Sequence, residues 1–132
     1  MYDAYLPKGK RLWSPLHIAV EAGNLYLCKF ILGRTKIKNP WDIEHWTPLH
    51  SAAKFGHFEI WQMISKWVKN KNPPTKSLKI TPLHLAAQSG HLEICKAIMN
   101  KVIVKDYCPE DHNGKTPFQL AAEEGHLEVC LA

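Results

Sequence analysis

A short motif, Ser or Thr followed by Pro, an apolar residue and His or Gln, recurs at intervals of 33, 34 and 35 residues, beginning at Ser14, Thr47, Thr81 and Thr116. Nine positions after each start stands a glycine followed by a polar residue, at Gly23, Gly56, Gly90 and Gly125. Self-similarity with a period of this size is typical of proteins built from stacked repeats. The 132 residues therefore predict four similar units rather than one irregular core.

Each unit predicts a first helix, here called helix A. Ser or Thr before Pro favours a helix start, because the hydroxyl accepts from a free backbone N–H and Pro at the first position needs no donor. Small residues follow, as in residues 51–53 (SAA) and 85–87 (LAA), and let a neighbouring helix approach closely. The glycine is predicted to end helix A, since glycine adopts a positive φ without a Cβ penalty.

A second helix, helix B, is predicted after each glycine, because apolar residues follow it at helical spacing. In the first three units these are Leu25, Leu27, Cys28, Ile31 and Leu32; Phe58, Ile60, Trp61, Met63 and Ile64; and Leu92, Ile94, Cys95, Ile98 and Met99. One helix pair cannot bury such faces alone, whereas pairs stacked side by side bury them continuously. The pattern predicts an all-α solenoid.

These motifs resemble the ankyrin-repeat family over about residues 8–132. The match is equally close in two repeats. In the fourth it covers residues 111–117 (DHNGKTP) and 120–129 (LAAEEGHLEV), and in the third it runs from Thr81 to Cys95. The resemblance implies one domain over residues 1–132, with repeats at about 9–41, 42–75, 76–110 and a truncated 111–132. It also implies short β-hairpin fingers projecting from the helices.

The resemblance places the fingers near residues 9–13, 42–46, 76–80 and 111–115. Gly114 fits the finger turn of the fourth repeat, but Leu12, His45 and Lys79 stand at the glycine place of the other three. A non-glycine residue in a left-handed turn costs about 1 kcal/mol. We therefore expect those three fingers to adopt other turns or to be less ordered.

The resemblance further implies that finger tips and the last turn of helix A line a concave groove that binds a partner. Exposed aromatic residues within a polar rim are typical of a protein-binding hot spot, and Trp13, Trp46 and Phe55 would supply them. Alternatively, Trp13 and Trp46 pack against neighbouring fingers. The candidate contact residues are Lys10, Arg11, Trp13, Glu21, Ile43, Glu44, Trp46, Lys54, Phe55, Leu78, Ile80, Gln88, His112, Asn113, Lys115, Glu123 and Glu124.

The chain holds eight histidines and four cysteines, and a zinc site of Cys95, Cys108 and His112, with His91, is conceivable from their spacing. The repeat explains most of these residues without a metal. His57, His91 and His126 share one repeat position, and Cys28, Cys95 and Cys130 share another that is expected to face the stack. We expect free thiols, no metal and no cofactor.

His17, His50 and His84 recur near the start of helix A. The family resemblance implies that they hydrogen-bond within and between repeats, and Gln119 can supply a similar polar group in the fourth repeat. No nucleophile elbow, phosphate-binding glycine loop or paired-carboxylate motif is present. The chain is therefore not expected to be an enzyme.

Charge is distributed unevenly along the chain, although the formal balance is only +5. Residues 1–105 carry sixteen basic against six acidic side chains, and residues 106–132 carry one against six. The run from Lys66 to Lys79 contains no acid. It indicates either a solvated edge or a contact for an acidic partner.

The sequence thus predicts a protein–protein interaction module whose concave face binds a protein of complementary polarity rather than a nucleic acid. One alternative is an electrostatic binder of nucleic acid or anionic lipid, and another is the regulatory part of a larger receptor, channel, kinase or ubiquitin-ligase adaptor. No apolar run approaches the roughly 20 residues of a transmembrane helix. We expect a monomer in the cytoplasm or the nucleus, from a parent protein that continues beyond Ala132.

Overall fold

The structure, a computed structural model, describes residues 13–101 and 109–131. This part of the chain forms four pairs of short antiparallel helices. Their bounds are α1 Pro15–Glu21, α2 Leu25–Leu32, α3 Pro48–Phe55, α4 Phe58–Ser65, α5 Pro82–Ser89, α6 Leu92–Lys101, α7 Pro117–Glu123 and α8 Leu127–Leu131.

The helices stack in two rows. The A helices α1, α3, α5 and α7 pack side by side in an inner row, and the B helices α2, α4, α6 and α8 form an outer row behind them. The predicted all-α solenoid is confirmed. The predicted β-hairpins are not formed in the described ranges, where the fingers are hydrogen-bonded turns without β-strands.

Each helix A begins as the sequence predicts, with a reciprocal cap. In α3 the Thr47 hydroxyl accepts from the His50 backbone N–H, and the His50 side chain accepts from the Thr47 N–H. Ser14, Thr81 and Thr116 cap α1, α5 and α7 in the same way, with Gln119 in the place of the histidine in α7. A capping interaction of this kind contributes about 1 kcal/mol.

The glycine that follows each helix A is left-handed, with φ between 73° and 77°. In three repeats this glycine also receives the ring of a histidine from the next repeat. A Cβ on Gly23, Gly56 or Gly90 would lie 2.6–2.8 Å from the ring atoms of His57, His91 or His126. Two separate features therefore require glycine at these positions. One is the positive φ, and the other is the histidine ring that occupies the space of a Cβ.

The core lies between the two rows of helices and consists mainly of aliphatic side chains and alanines. Trp61 is its largest fully buried side chain and occupies the repeat position that holds Cys28 and Cys95 in the neighbouring repeats. Burial of the two thiols raises the pKa of Cys28 to about 11 and that of Cys95 to about 12. Both thiols are free.

Two residues of the predicted core are exposed, one in the first and one in the last of the helix pairs described. Cys130 was expected to be buried like Cys28, but it is exposed on α8. Leu27 on α2 is 43% exposed, whereas Ile60 and Ile94 at the same repeat position are buried.

Two lysines lie at the C-terminal ends of B helices, Lys71 from the acid-free basic run and Lys38, which the sequence did not single out. The Lys38 ammonium donates to the carbonyls of Leu32 and Thr35, after α2. Lys71 does the same after α4, donating to the carbonyls of Ser65 and Val68. Cations stabilise a helix C-terminus, where carbonyl groups lack partners within the helix.

Gly90 and Gly125 allow the steric role of the histidine ring to be measured. Both have φ 77°, but a Cβ on Gly90 would lie 2.7 Å from Nδ1 of His126, and a Cβ on Gly125 would meet nothing within 4 Å. Gly125→Ala is expected to lower the free energy of unfolding by about 1 kcal/mol, the cost of the left-handed backbone. Gly90→Ala is expected to lower it by about 1–2 kcal/mol more, because the ring must move.

Urea denaturation of the two variants and of Gly90→Ala combined with His126→Ala measures the difference. The added His126→Ala change should reduce the excess cost of Gly90→Ala. Equal destabilisation by Gly90→Ala and Gly125→Ala would show that the ring contact contributes nothing.

Candidate functional site

Three fingers lie within the described residues, and each is closed by backbone hydrogen bonds across its turn. Finger two (residues 42–46) has a bond from the Asp42 N–H to the Trp46 carbonyl, and finger four (111–115) has the equivalent bond from Asp111 to Lys115. In both, the aspartate side chain also accepts two backbone N–H groups of the turn. Finger three (76–80) uses Thr75, whose hydroxyl accepts from the Ile80 N–H.

The finger turns contain left-handed non-glycine residues, which corrects the expectation of other turns. His45 has φ 63° and Lys79 has φ 55°, like Gly114 with φ 77°. The ring of His45 stacks on Trp41, with centroids 4.7 Å apart, and the backbone N–H of His45 donates to the Asp42 carbonyl. These contacts and the closing bonds of the finger offset the backbone cost of about 1 kcal/mol. Leu12 lies outside the described residues.

Buried imidazoles on the first three A helices bond each of these helices to the finger of the next repeat. Nδ1 of His50 accepts from the Thr47 N–H, so its Nε2–H donates, to the Ile80 carbonyl at 2.9 Å. His17 donates in the same way to the Trp46 carbonyl, and His84 to the Lys115 carbonyl. The hydrogen bonds predicted for these histidines within and between repeats are confirmed.

Neighbouring fingers are also bonded to each other directly. The Lys76 N–H donates to the Glu44 carbonyl at 2.8 Å, and the His112 N–H donates to the Leu78 carbonyl at 2.9 Å. Fingers two, three and four therefore form one continuous row beside the inner helices. We call the surface between this row and the last turns of the A helices the groove.

The floor of the groove is formed by pairs of residues eight positions apart, one at the base of a finger and one in the last turn of helix A. In the second repeat the Lys54 ammonium lies 5.8 Å from the centre of the Trp46 ring. In the fourth repeat Lys115 forms an ion pair with Glu123. The third repeat has Ile80 and Gln88 at these positions. The same two positions thus carry an aromatic ring and a cation in the second repeat, two neutral side chains in the third, and an ion pair in the fourth.

Most of the candidate contact residues are accessible. The apolar side chains of Ile43, Phe55 and Leu78 are 46%, 42% and 45% exposed. Exposed polar and charged candidates are Lys54, Gln88, His112, Asn113, Glu123 and Glu124, and half-buried ones are Glu21, Glu44, Trp46, Ile80 and Lys115. Lys10 and Arg11 lie outside the described residues.

Trp13 is not an exposed contact residue, which corrects the first interpretation of this side chain. It is 5% exposed, its ring stacks on His17 and its Nε1–H donates to the Asp42 carboxylate of finger two. Trp46 is half-buried, stacks on His50 and donates to the Ser51 hydroxyl. The alternative interpretation, packing against a neighbouring finger, agrees with the contacts of Trp13. The contacts of Trp46 are instead with α3 of its own repeat.

Two exposed lysines of finger three, Lys76 and Lys79, were missing from the candidate set. They flank Leu78 and lie on the row of fingers. The acid-free basic run contained the signal for them. The finger itself was placed correctly at residues 76–80, where Lys76 and Lys79 stand in the places of the aspartate and the glycine of finger four.

The residues of the conceivable zinc site are not brought together as a cluster in the described ranges. His91 donates from Nε2 to the Lys54 carbonyl, Cys95 is buried in the core, and Cys108 lies outside the described residues. Within the ranges that the structure covers, no group of three His, Cys, Asp or Glu side chains could hold a metal ion. No helix among them has the length and apolar character needed to span a membrane.

The buried imidazoles that hold the fingers predict a pH-dependent stability. Burial lowers the pKa of His50 to about 4 in the folded protein, from 6.5 when exposed, and lowers the pKa of His17 and His84 as well. The unfolded chain therefore binds more protons than the folded chain at pH values between about 4 and 6.5. The contribution of His50 is complete above about pH 6.5 and is lost as the pH falls towards 4, by about 2 kcal/mol between about pH 7.5 and pH 5.

Urea denaturation across this pH range, on the wild type and on His50→Gln, measures the effect. Gln119 already makes the same cap in α7, so glutamine should preserve the local structure while removing the titration. The free energy of unfolding of the variant is expected to fall less steeply as the pH is lowered. Equal pH dependence in both proteins would contradict the assignment to His50.

Comparison with known proteins identifies the family. The family model described as ankyrin repeats (3 copies) matches residues 2–77 and 62–132, which together span nearly the whole chain. A search of curated proteins gives no match. With its capped A helices, left-handed glycines and fingers, the chain belongs to the ankyrin-repeat family.

Proposed function

We propose that this chain is a non-enzymatic protein–protein interaction module that binds a partner protein in the groove. The observation that carries the proposal is the set of exposed apolar side chains on the groove, Ile43, Phe55 and Leu78, held on a hydrogen-bonded frame. Ankyrin repeats in general act as protein–protein interaction modules. Apolar side chains within a polar rim are typical of the centre of a protein interface.

The rigidity of the groove supports binding without a large ordering cost. Ile43 and Leu78 lie on fingers that are bonded to each other and to buried imidazoles. Phe55 ends α3, whose neighbours α1 and α5 pack on both sides of it. A preorganised surface loses little conformational entropy on association, so more of the contact energy appears as affinity.

The polar groups of the described residues support binding rather than catalysis. His17, His50 and His84 are buried, neutral and engaged with backbone carbonyls, so they are not placed to transfer protons to a ligand. Cys28 and Cys95 are buried, and a raised pKa keeps their thiols protonated. The groove itself presents apolar, amide and charged side chains suited to recognition.

Part of the basic surface has a structural role, which weakens the alternative of an electrostatic binder. Lys38 and Lys71 donate to helix-end carbonyls. The Lys38 ammonium also lies over the ring of Trp67.

The free thiols of Cys28 and Cys95 support a reducing compartment, the cytoplasm or the nucleus. We propose that the isolated chain is a monomer.

Affinity capture from a lysate of the source organism, with exposed side chains of the groove removed, tests the proposal. Phe55→Ala combined with Leu78→Ala is expected to weaken partner binding by at least about tenfold, since central apolar contacts dominate interface energies. Both side chains are more than 40% exposed, so the fold should be retained.

The matched control is Tyr26→Ala combined with Leu127→Ala, one aromatic and one leucine exposed on the outer B helices. A protein retained by the wild type and this control, and lost by the groove variant, would support the proposal. Loss with the control variant alone would place binding on the outer helices. Recovery of nucleic acid alone, eluted by moderate salt, would favour the electrostatic alternative.

A further inference from the structure

The chemistry of the groove differs between its two ends, and the part formed by repeats two and three is cationic. The lysine of the groove floor in the fourth repeat, Lys115, is paired with Glu123. In the second repeat the lysine stands on helix A instead, as Lys54. Its ammonium lies 5.8 Å from the Trp46 ring and 5.5 Å from the Phe55 ring, and no carboxylate of the described residues pairs with it.

Finger three adds two cations next to an apolar side chain. Lys76 and Lys79 are exposed on either side of Leu78, which is itself 45% exposed. The bond from the Lys76 N–H to the Glu44 carbonyl holds this finger against finger two, where Ile43 is also exposed. The groove at repeats two and three therefore carries three exposed lysines, together with the exposed apolar side chains of Ile43, Leu78 and Phe55.

Finger three carries no carboxylate, and neither acid of finger two forms an ion pair with these lysines. Asp42 is buried, and its oxygens accept from two backbone N–H groups and from the indole N–H of Trp13. Glu44 is half-buried. The groove therefore has an excess of positive charge at repeats two and three, while Glu123 and Glu124 stand at repeat four.

We propose that the groove at repeats two and three binds an acidic linear segment of the partner, in which carboxylates flank a large apolar side chain. This inference rests on the proposed function and specifies the partner for it. The apolar side chain would pack against Ile43, Leu78 and Phe55, and the carboxylates would pair with Lys54, Lys76 and Lys79. The Lys54 ammonium is already held over aromatic rings, so less side-chain freedom is lost when it forms an ion pair.

A protein segment fits this surface better than a nucleic acid. Binding of single strands relies on bases stacked on successive aromatic side chains along a basic groove. Here the fingers present aliphatic side chains, Ile43 and Leu78. Phe55 ends α3, and another exposed aromatic residue, Trp41 before finger two, is already stacked on His45. Aliphatic contacts combined with ammonium groups favour a peptide with apolar and acidic side chains.

Selection of short random peptides displayed on phage, with the full chain as target, tests the inference. The enriched peptides are expected to carry Asp or Glu next to a large apolar residue. A synthetic, fluorescently labelled peptide from this pool then measures affinity by fluorescence anisotropy. Lys54→Glu is expected to weaken its binding by about tenfold, since an attractive charge pair becomes a repulsive one.

The matched control for charge is Lys96→Glu, the same reversal on an exposed residue of the outer helix α6. It should change the affinity by less than about twofold, because exposed charges separated by more than about 10 Å are screened at physiological salt. A peptide with its acidic residues replaced by lysine should bind the Lys54→Glu variant better than the wild type. This reversal would show a direct charge contact rather than a change in folding.

Several outcomes would overturn the inference, and they separate it from the proposed function. Enriched peptides that are neutral or basic, yet lose binding with Leu78→Ala, would keep the groove as the binding surface but reject the acidic partner. Peptide binding that ignores both Leu78→Ala and Phe55→Ala would reject the groove itself. Three further results would each reject the acidic segment. Lys54→Glu and Lys96→Glu could weaken binding equally, no peptide could be enriched, or an oligothymidylate at equal concentration could displace the peptide.

Discussion

The hydrogen bond from a buried imidazole to the carbonyl of the next finger is the contact on which the groove depends. In each of the first three repeats the histidine both caps its own helix A and holds the following finger. The imidazole can do this only when neutral, with Nδ1 accepting and Nε2 donating, and burial maintains that state by lowering its pKa. One side chain therefore couples the start of a helix to the position of a finger in another repeat.

The side chains on the surface of the fingers can vary, because the bonds that join the fingers are made by backbone atoms. The backbone bonds between fingers involve no side-chain atoms, so residues 43, 44 and 76–79 can change without loss of those bonds. Trp13 shows the opposite case. Its indole donates to the buried Asp42, and both residues belong to the frame. The side chains available for the proposed binding are therefore those that take no part in the bonds between repeats.

The features that could be predicted from the sequence are those set by contacts within a few residues. Thr47 and His50 are three positions apart, so a helix cap follows directly from their spacing, as does the left-handed conformation of Gly56. The burial of Trp13 could not be predicted in this way, because its partner Asp42 lies 29 residues away in the next repeat. The left-handed conformations of His45 and Lys79 were also missed, since the closed finger, rather than the residue's own preference, determines its φ.

The two floor positions show how such a repeat can change partner without changing fold. They carry Trp46 and Lys54, then Ile80 and Gln88, then Lys115 and Glu123, on almost identical helices and fingers. The imidazole bridges end on the backbone carbonyls of Trp46, Ile80 and Lys115, and use no side-chain atom of these residues. Substitutions at the floor positions therefore alter the charge and polarity of the floor and leave the bonds between repeats intact. The order of the pairs along the stack then determines where a partner meets a cation, a neutral surface or an ion pair. In the proposed function, specificity would follow from that order, and affinity from the exposed apolar side chains of the groove.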